Sequence, residues 1–193
     1  AASGIDLLGP DDLVQLQAGR REAEAPRLVL GAGTGLGVAC MVWNGVHHAV
    51  VPGEGGHIGF APATAEQAEL WRELYAQQGR VTAEDIISGP GLARLHDFVA
   101  RRAGQPDAGR SPAEVVQAAA AGDALCKRTL DLFIACYGQV AGNLALPILP
   151  RGGVYVAGGI APRILARLQQ GSFVAAFNNR GAHAALMREL PVA

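Results

Sequence analysis

The chain is predicted to fold as an α/β domain. Short β-rich runs alternate with longer helical stretches, two of those runs face each other across an Asn-Gly pair, and no linker, repeat or low-complexity tract divides the sequence. A single domain over residues 1–193 is therefore expected.

After a short polar lead, residues 27–31 (RLVLG) read as a strand entering the Gly-rich loop GAGTGLG, and residues 38–43 (VACMVW) and 46–51 (VHHAVV) read as two more strands. Asn44-Gly45 between them predicts a hairpin closed by a type I′ turn, which needs positive φ at both central residues. Residues 65–78 read as an amphipathic helix with Ala68, Trp71, Leu74 and Tyr75 on one face, and residues 92–103 as another with Leu92, Leu95, Phe98 and Val99 inward. Ser111-Pro112-Ala113-Glu114 is a capping box with Pro at the first helical position, so a third helix starts there. Residues 123–146 form a long, mostly apolar helix, in which Gly138 and Gly142 invite close approach by another element. Residues 153–157 (GVYVA) are an apolar strand, Gly158-Gly159 a turn, residues 161–168 a helix, and Leu190-Pro191-Val192 the start of a strand.

The charge balance narrows the partners. With 16 Lys+Arg against 17 Asp+Glu, net charge −1 and a pI near 6.6, the chain lacks the basic excess on which nucleic-acid binding depends. Half the residues are apolar and the mean hydropathy is +0.19, as in a globular domain. The uncharged run 132–150 has membrane length. It also holds Gln139, Asn143, Gly138, Gly142 and Pro147, and it follows Lys127, Arg128 and Asp131, so no membrane span is expected. Cys40, Cys126 and Cys136 show neither CxxC nor Cys/His spacing, so no disulfide framework or zinc site is expected, and a reducing, cytoplasmic setting fits best. Glycine is about twice as frequent as the usual ~7%, with 26 residues of 193.

Four segments carry candidate chemistry. In Gly31-Ala32-Gly33-Thr34-Gly35-Leu36-Gly37, several N–H groups can turn toward a phosphate while the glycines keep Cβ atoms away and Thr34 adds a hydroxyl. The loop lacks a Gly-Lys-[Ser/Thr] ending, and a strand rather than a helix follows it, so it is neither a P-loop nor a Rossmann fingerprint. A plain hairpin connection reads equally well. Pro52-Gly53-Glu54-Gly55-Gly56-His57 sets a two-oxygen acceptor and an imidazole at one rim, a pairing suited to the vicinal hydroxyls of a sugar. The residues alone also allow a solvated Glu54 and a His57 bonded to its own turn. In Thr82-Ala83-Glu84-Asp85, Thr82 reads as a helix N-cap and Glu84 as a first-turn acid or, beside the other motifs, a ligand. Gly158-Gly159 after a strand offers a flat backbone surface to a base.

Taken in order, GAGTGLG, PGEGGH, TAEDIISGPGL and GGVYVAGGI resemble the bacterial glucokinases of the hexokinase/actin/heat-shock-70 superfamily, and the resemblance runs from about Ile5 to Val192. It implies an RNase-H-like large domain with a mixed sheet, and transfer of phosphate from ATP, with Mg²⁺, to the 6-hydroxyl of glucose. By the same resemblance Gly31, Gly33, Thr34 and Gly35 bind ATP together with Gly158 and Gly159, while Glu54, His57 and Glu84 bind the sugar. The zinc-binding Cys/His cluster usual in the related repressor/kinase family is missing, which points to the zinc-free branch, with no metal ligands in this chain. The family's first phosphate loop and its catalytic Asp motif are also missing, and the catalytic base is expected upstream of Ala1. The chain is thus expected to be the large domain without its small partner domain and last segment, to carry no catalytic base, and to be inactive alone. Asp6 is not expected to replace that base. The whole enzyme is expected to be a cytoplasmic homodimer. Kinases for another hexose or an amino sugar, and a non-catalytic sugar sensor, remain as alternatives, although the chain offers no DNA-binding segment for a regulator.

Overall fold

The computed structural model describes residues 2–105 and 109–193. Three antiparallel strands, β1 (Arg27–Ala32), β2 (Leu36–Trp43) and β3 (His48–Gly53), are joined by β4 (Gly153–Ala157), which runs parallel to β1 and gives the sheet order β3-β2-β1-β4. The alternating side chains of β1 divide the core. Leu28 and Leu30 face the helices along with Val154, whereas Val29 faces Met41, Tyr155 and the N-terminal 3₁₀ turn through Ala2 and Ile5. Pro191 to Ala193 continue the sheet beside β4: Val154 N–H donates to Pro191 O, and Val156 N–H to Ala193 O.

The hairpin forms, but its turn differs from the expectation. Trp43 pairs with His48, leaving a four-residue loop, and within it only Gly45 takes a positive φ, at +97°. The Asn44 side chain explains this. Its Oδ1 accepts from Val46 N–H and His47 N–H, closing the loop without the second left-handed residue that a type I′ turn needs.

The helices are α1 (Ala65–Gln78), α2 (Gly89–Arg102), α3 (Pro112–Ala120), α4 (Ala124–Ala145), α5 (Leu165–Leu168), α6 (Ser172–Asn178) and α7 (Ala184–Arg188). The Ser111 capping box is present at α3. On α1 the buried stripe is Gln67, Leu70 and Leu74, rotated from the expected face. Tyr75 is exposed, with its ring stacked on Trp71 at 4.8 Å, while Leu70 and Leu74 join the core. Thr82 does not cap a helix. It exchanges hydrogen bonds with Asp85, but residues 82–88 stay a turn and α2 begins at Gly89 under a Ser88 cap, three residues before the expected start. The expected helix over residues 161–168 divides into a 3₁₀ turn, Ala161–Ile164, and α5.

The long central helix α4 packs against α2, α3 and α6. Gly138 and Gly142 lie where α6 crosses it: a Cβ at Gly138 would sit 2.9 Å from Phe173 C, and one at Gly142 would sit 2.6 Å from Phe177 O. On the sheet side the buried Tyr137 hydroxyl donates to Leu30 O at 3.0 Å, tying the helix to β1, and burial pushes its pKa up. Cys40, Cys126 and Cys136 are free thiols, and burial raises the pKa of each. Among the described residues no helix is long and apolar enough to cross a membrane.

The start of α4 makes a testable pH-dependent contribution. Asp123 accepts from Cys126 N–H at 2.9 Å and from Arg110 Nη1 at 3.1 Å, and these two bonds hold its pKa down to about 2. The folded pKa lies below the unfolded value of ~3.9, so the stabilisation is complete above that value and fades as pH falls toward 2. Asp123→Ala should therefore destabilise the chain by about 1 kcal/mol at neutral pH, the usual effect of losing an N-cap. In urea melts that gap should narrow as the pH is lowered from about 4 toward 2. A gap independent of pH would show that the charge on Asp123 does not contribute.

Candidate active site

Every candidate segment reaches the same end of the sheet. The loop 33–35 leaves β1 at Ala32 and enters β2 at Leu36, closed by a hydrogen bond from Gly33 N–H to Gly35 O at 2.8 Å. The turn 158–159 leaves the parallel neighbour β4 at the same end. Ile160 N–H donates to Ala32 O at 3.2 Å, and Gly158, at φ +89°, fits so closely that a Cβ there would lie 2.7 Å from Ala32 N. Ligands of parallel sheets bind beyond the carboxyl ends of the strands, where β1 and β4 both deliver their glycines. Gly33 and Gly159 differ from Gly158 in that a Cβ on either would meet no atom within 4 Å. Nothing in the described chain fills the space beside them.

Glu54 follows β3, which ends beside the start of β2, so the turn carrying Glu54 and His57 rises next to the 33–35 loop. Glu54 Oε2 lies 3.9 Å from His57 Nε2, and the two side chains are 90% and 57% exposed. The pair sits at an open, solvent-exposed rim.

Residues 56–60 and 81–84 pair with each other. Phe60 N–H donates to Val81 O, Ala83 N–H to Ile58 O, and Glu84 N–H to Gly56 O at 2.9 Å. This short ladder carries Glu84 to the rim held by Glu54 and His57. The Glu84 carboxylate then accepts from Leu36 N–H at 2.7 Å, and Gly35 leaves it room, since a Cβ there would lie 2.5 Å from Glu84 Oε2. Asp85 braces the turn. Burial alone would raise its pKa, but hydrogen bonds from the Thr82 N–H and hydroxyl hold the carboxyl below its ordinary range.

Two contributors carry no role in the sequence analysis. Gly89 N–H, at the first residue of α2, donates to Gly33 O at 2.7 Å, so the helix start buttresses the 33–35 loop; Arg80 Nη2 donates to His57 O at 3.0 Å. The first has a signature in the sequence, since Ser88 with Pro90 in the first turn marks a helix start. The Arg80 contact has no local signature.

Ala1, upstream of which the catalytic base is expected, lies outside the described residues. The segment that follows it, Ala2–Leu7, is a 3₁₀ turn whose Ala2 and Ile5 pack on Val29, Met41 and Tyr155, and it brings no carboxylate to the glycine loop. Its one acid, Asp6, lies elsewhere. It is ion-paired to Arg27 at the beginning of β1, and that hydrogen bond is the main cause holding its pKa below the ordinary value. Five strand steps of ~3.3 Å separate Arg27 from Ala32, which precedes the loop. Among the described residues no three His, Cys, Asp or Glu side chains gather as a metal-binding group.

The glucokinase family model matches residues 1–193. The chain belongs to the glucokinase family. It is 41% identical over 192 residues to a glucokinase of Mesorhizobium japonicum, covering 99% of this chain and 56% of that protein. A glucokinase crystal structure from an Antarctic psychrotroph superposes with a TM-score of 0.92 at 34% identity, covering 99% of this chain and 60% of that one. The glucokinase of Balamuthia mandrillaris in complex with glucose superposes with a TM-score of 0.78 at 26% identity, covering 99% and 55%. The chain thus spans rather more than half the length of these glucokinases. The α/β class and the actin-like, mixed-sheet architecture agree with this family: an antiparallel hairpin meets a parallel strand, with helices on one face.

Proposed function

We propose that this chain supplies the phosphate loop, the nucleotide-side turn and three sugar contacts of an enzyme that phosphorylates glucose on its 6-hydroxyl with MgATP. The observation that carries this is the meeting, at one sheet end, of a glycine loop open to a phosphate and a carboxylate–imidazole rim open to a polyol. In this reading Gly33, Thr34 and Gly35 cradle the phosphates, with Gly31 held in β1 between Gly37 and Ala157 as the strand residue that leads into the loop, Gly158 and Gly159 face the nucleoside, and Glu54, His57 and Glu84 take the sugar hydroxyls. Mg²⁺ arrives with ATP and neutralises charge on its phosphate oxygens.

No carboxylate of this chain is proposed as the base. Asp6 is at the wrong end of β1, and Glu54 and Glu84 are assigned to hydroxyl contacts. Phosphoryl transfer depends on positioning the phosphates and orienting the nucleophile, so the base and the opposing phosphate contacts are proposed to come from residues upstream of Ala1 and a smaller domain closing over the sugar. Membership of the glucokinase family supports this division; a cytoplasmic setting and a homodimer are proposed with it, and sedimentation would measure the dimer.

The reading is tested by ADP formation from MgATP with glucose, mannose, fructose and N-acetylglucosamine. Both this chain and a protein carrying it at the length of its relatives should be assayed. Glucose-selective turnover in the longer protein and none in this chain is expected. Turnover by this chain alone would displace the proposed base, and inactivity of the longer protein on every sugar would leave binding or regulation as the function. Glu54→Gln should weaken glucose binding by about tenfold in calorimetry, because a charged acceptor becomes neutral and half of it becomes a donor. Unchanged affinity would remove Glu54 from the site.

A further inference from the structure

We propose that Glu84 is a positioning residue for the phosphate loop as well as a sugar contact, so that one carboxylate couples sugar binding to nucleotide binding. The inference rests on the function proposed above and adds a route between its two halves. Glu84 Oε2 accepts from Leu36 N–H at 2.7 Å, and this is the one hydrogen bond of that side chain among the described residues, leaving Oε1 for a ligand. The Glu84 backbone is fixed from the other side by its N–H bond to Gly56 O, between Glu54 and His57. Gly56 itself packs on β2, where a Cβ would lie 3.2 Å from Leu36 C. A continuous chain of contacts therefore runs from the rim through Gly56 and Glu84 to Leu36 and the 33–35 loop.

Gly35 is the complementary half of the device. A side chain there would drive a Cβ against the Glu84 carboxylate at 2.5 Å. A substitution in the phosphate loop is thereby felt at the sugar site, and one at the sugar site is felt by the loop. Coupling of this kind is reciprocal, and its usual size is about 5- to 150-fold in affinity.

The experiment measures glucose and MgADP affinities separately, by calorimetry, on a protein carrying this chain at the length of its relatives and on four variants of it, with a thermal melt of each to confirm folding. Gly35→Ala should weaken glucose as well as MgADP by about tenfold. Gly33→Ala, in the same loop but with open space at its Cβ, should weaken MgADP while sparing glucose. Glu84→Ala should weaken both ligands. Glu84→Gln keeps an oxygen for Leu36 N–H, so it should weaken glucose while MgADP affinity stays within about twofold. A merely structural role would not produce that split. The proposal is overturned if Glu84→Ala leaves MgADP affinity unchanged, or if Gly35→Ala leaves glucose affinity unchanged, while the unsubstituted longer protein binds both ligands. If the unsubstituted longer protein binds neither, the parent reading fails and the coupling falls with it.

Discussion

Gly138→Ala is expected to lower the melting temperature, although alanine is the better helix former. Replacing glycine inside a helix ordinarily gains about 1 kcal/mol. Here the new methyl group would lie 2.9 Å from Phe173 C and 3.0 Å from Phe173 Cα, both backbone atoms of α6, so relief requires the two helices to separate. The same crossing carries the packed rings of Phe133, Tyr137, Phe173 and Phe177, all fully buried. Overpacking of this kind costs about 1–3 kcal/mol, and more when backbone is the obstacle, so the clash outweighs the propensity gain. With about 2–4 °C lost per kcal/mol for a chain of this size, a fall of several degrees is expected in a thermal melt. An unchanged or raised melting temperature would show that α4 and α6 do not approach this closely.

That crossing was legible in the sequence because small residues four apart on an apolar helix have few other uses. Strand positions, the Ser111 cap and the inward face of α2 were legible for similar reasons: local chemistry alone sets them. The misreadings share a cause in side chains that substitute for backbone. Asn44 closes its loop with its own carboxamide, so the expected type I′ turn never forms. Thr82 and Asp85 complete the hydrogen bonds of a cap, yet residues 81–84 are claimed by pairing with residues 56–60, and Ile86 N–H and Ile87 N–H both turn back onto Ala83 O, so no helix starts until Ser88. The rotated face of α1 reflects tertiary packing, which chose Leu70 for burial and left Tyr75 on Trp71. In the candidate site the glycines and polar residues were visible as motifs. Their connections were not: the bond from Leu36 N–H to Glu84 spans 48 residues, and no local pattern announces it.

Gly158 and Gly159 are adjacent, yet their alanine variants are expected to fail in different ways. Gly158 has φ +89°, a conformation that costs a residue bearing Cβ about 1–2 kcal/mol, and its Cβ would lie 2.7 Å from Ala32 N. Gly158→Ala should therefore push the turn away from β1, strain the bond from Ile160 N–H to Ala32 O, and lower both stability and MgADP affinity. Gly159 has neither constraint: its φ lies outside the left-handed region, and its Cβ would meet nothing within 4 Å. Gly159→Ala should melt at the same temperature as the parent chain. If a nucleotide packs flat on this turn, the added methyl group occupies the ligand's place, and MgADP affinity should fall by about tenfold or more without loss of stability. The contrast separates a glycine kept for the fold from one kept for a ligand. Equal MgADP affinity in Gly159→Ala and the parent chain would move the nucleoside off this turn, and the phosphate loop would then have to be matched with another surface at the same end of the sheet.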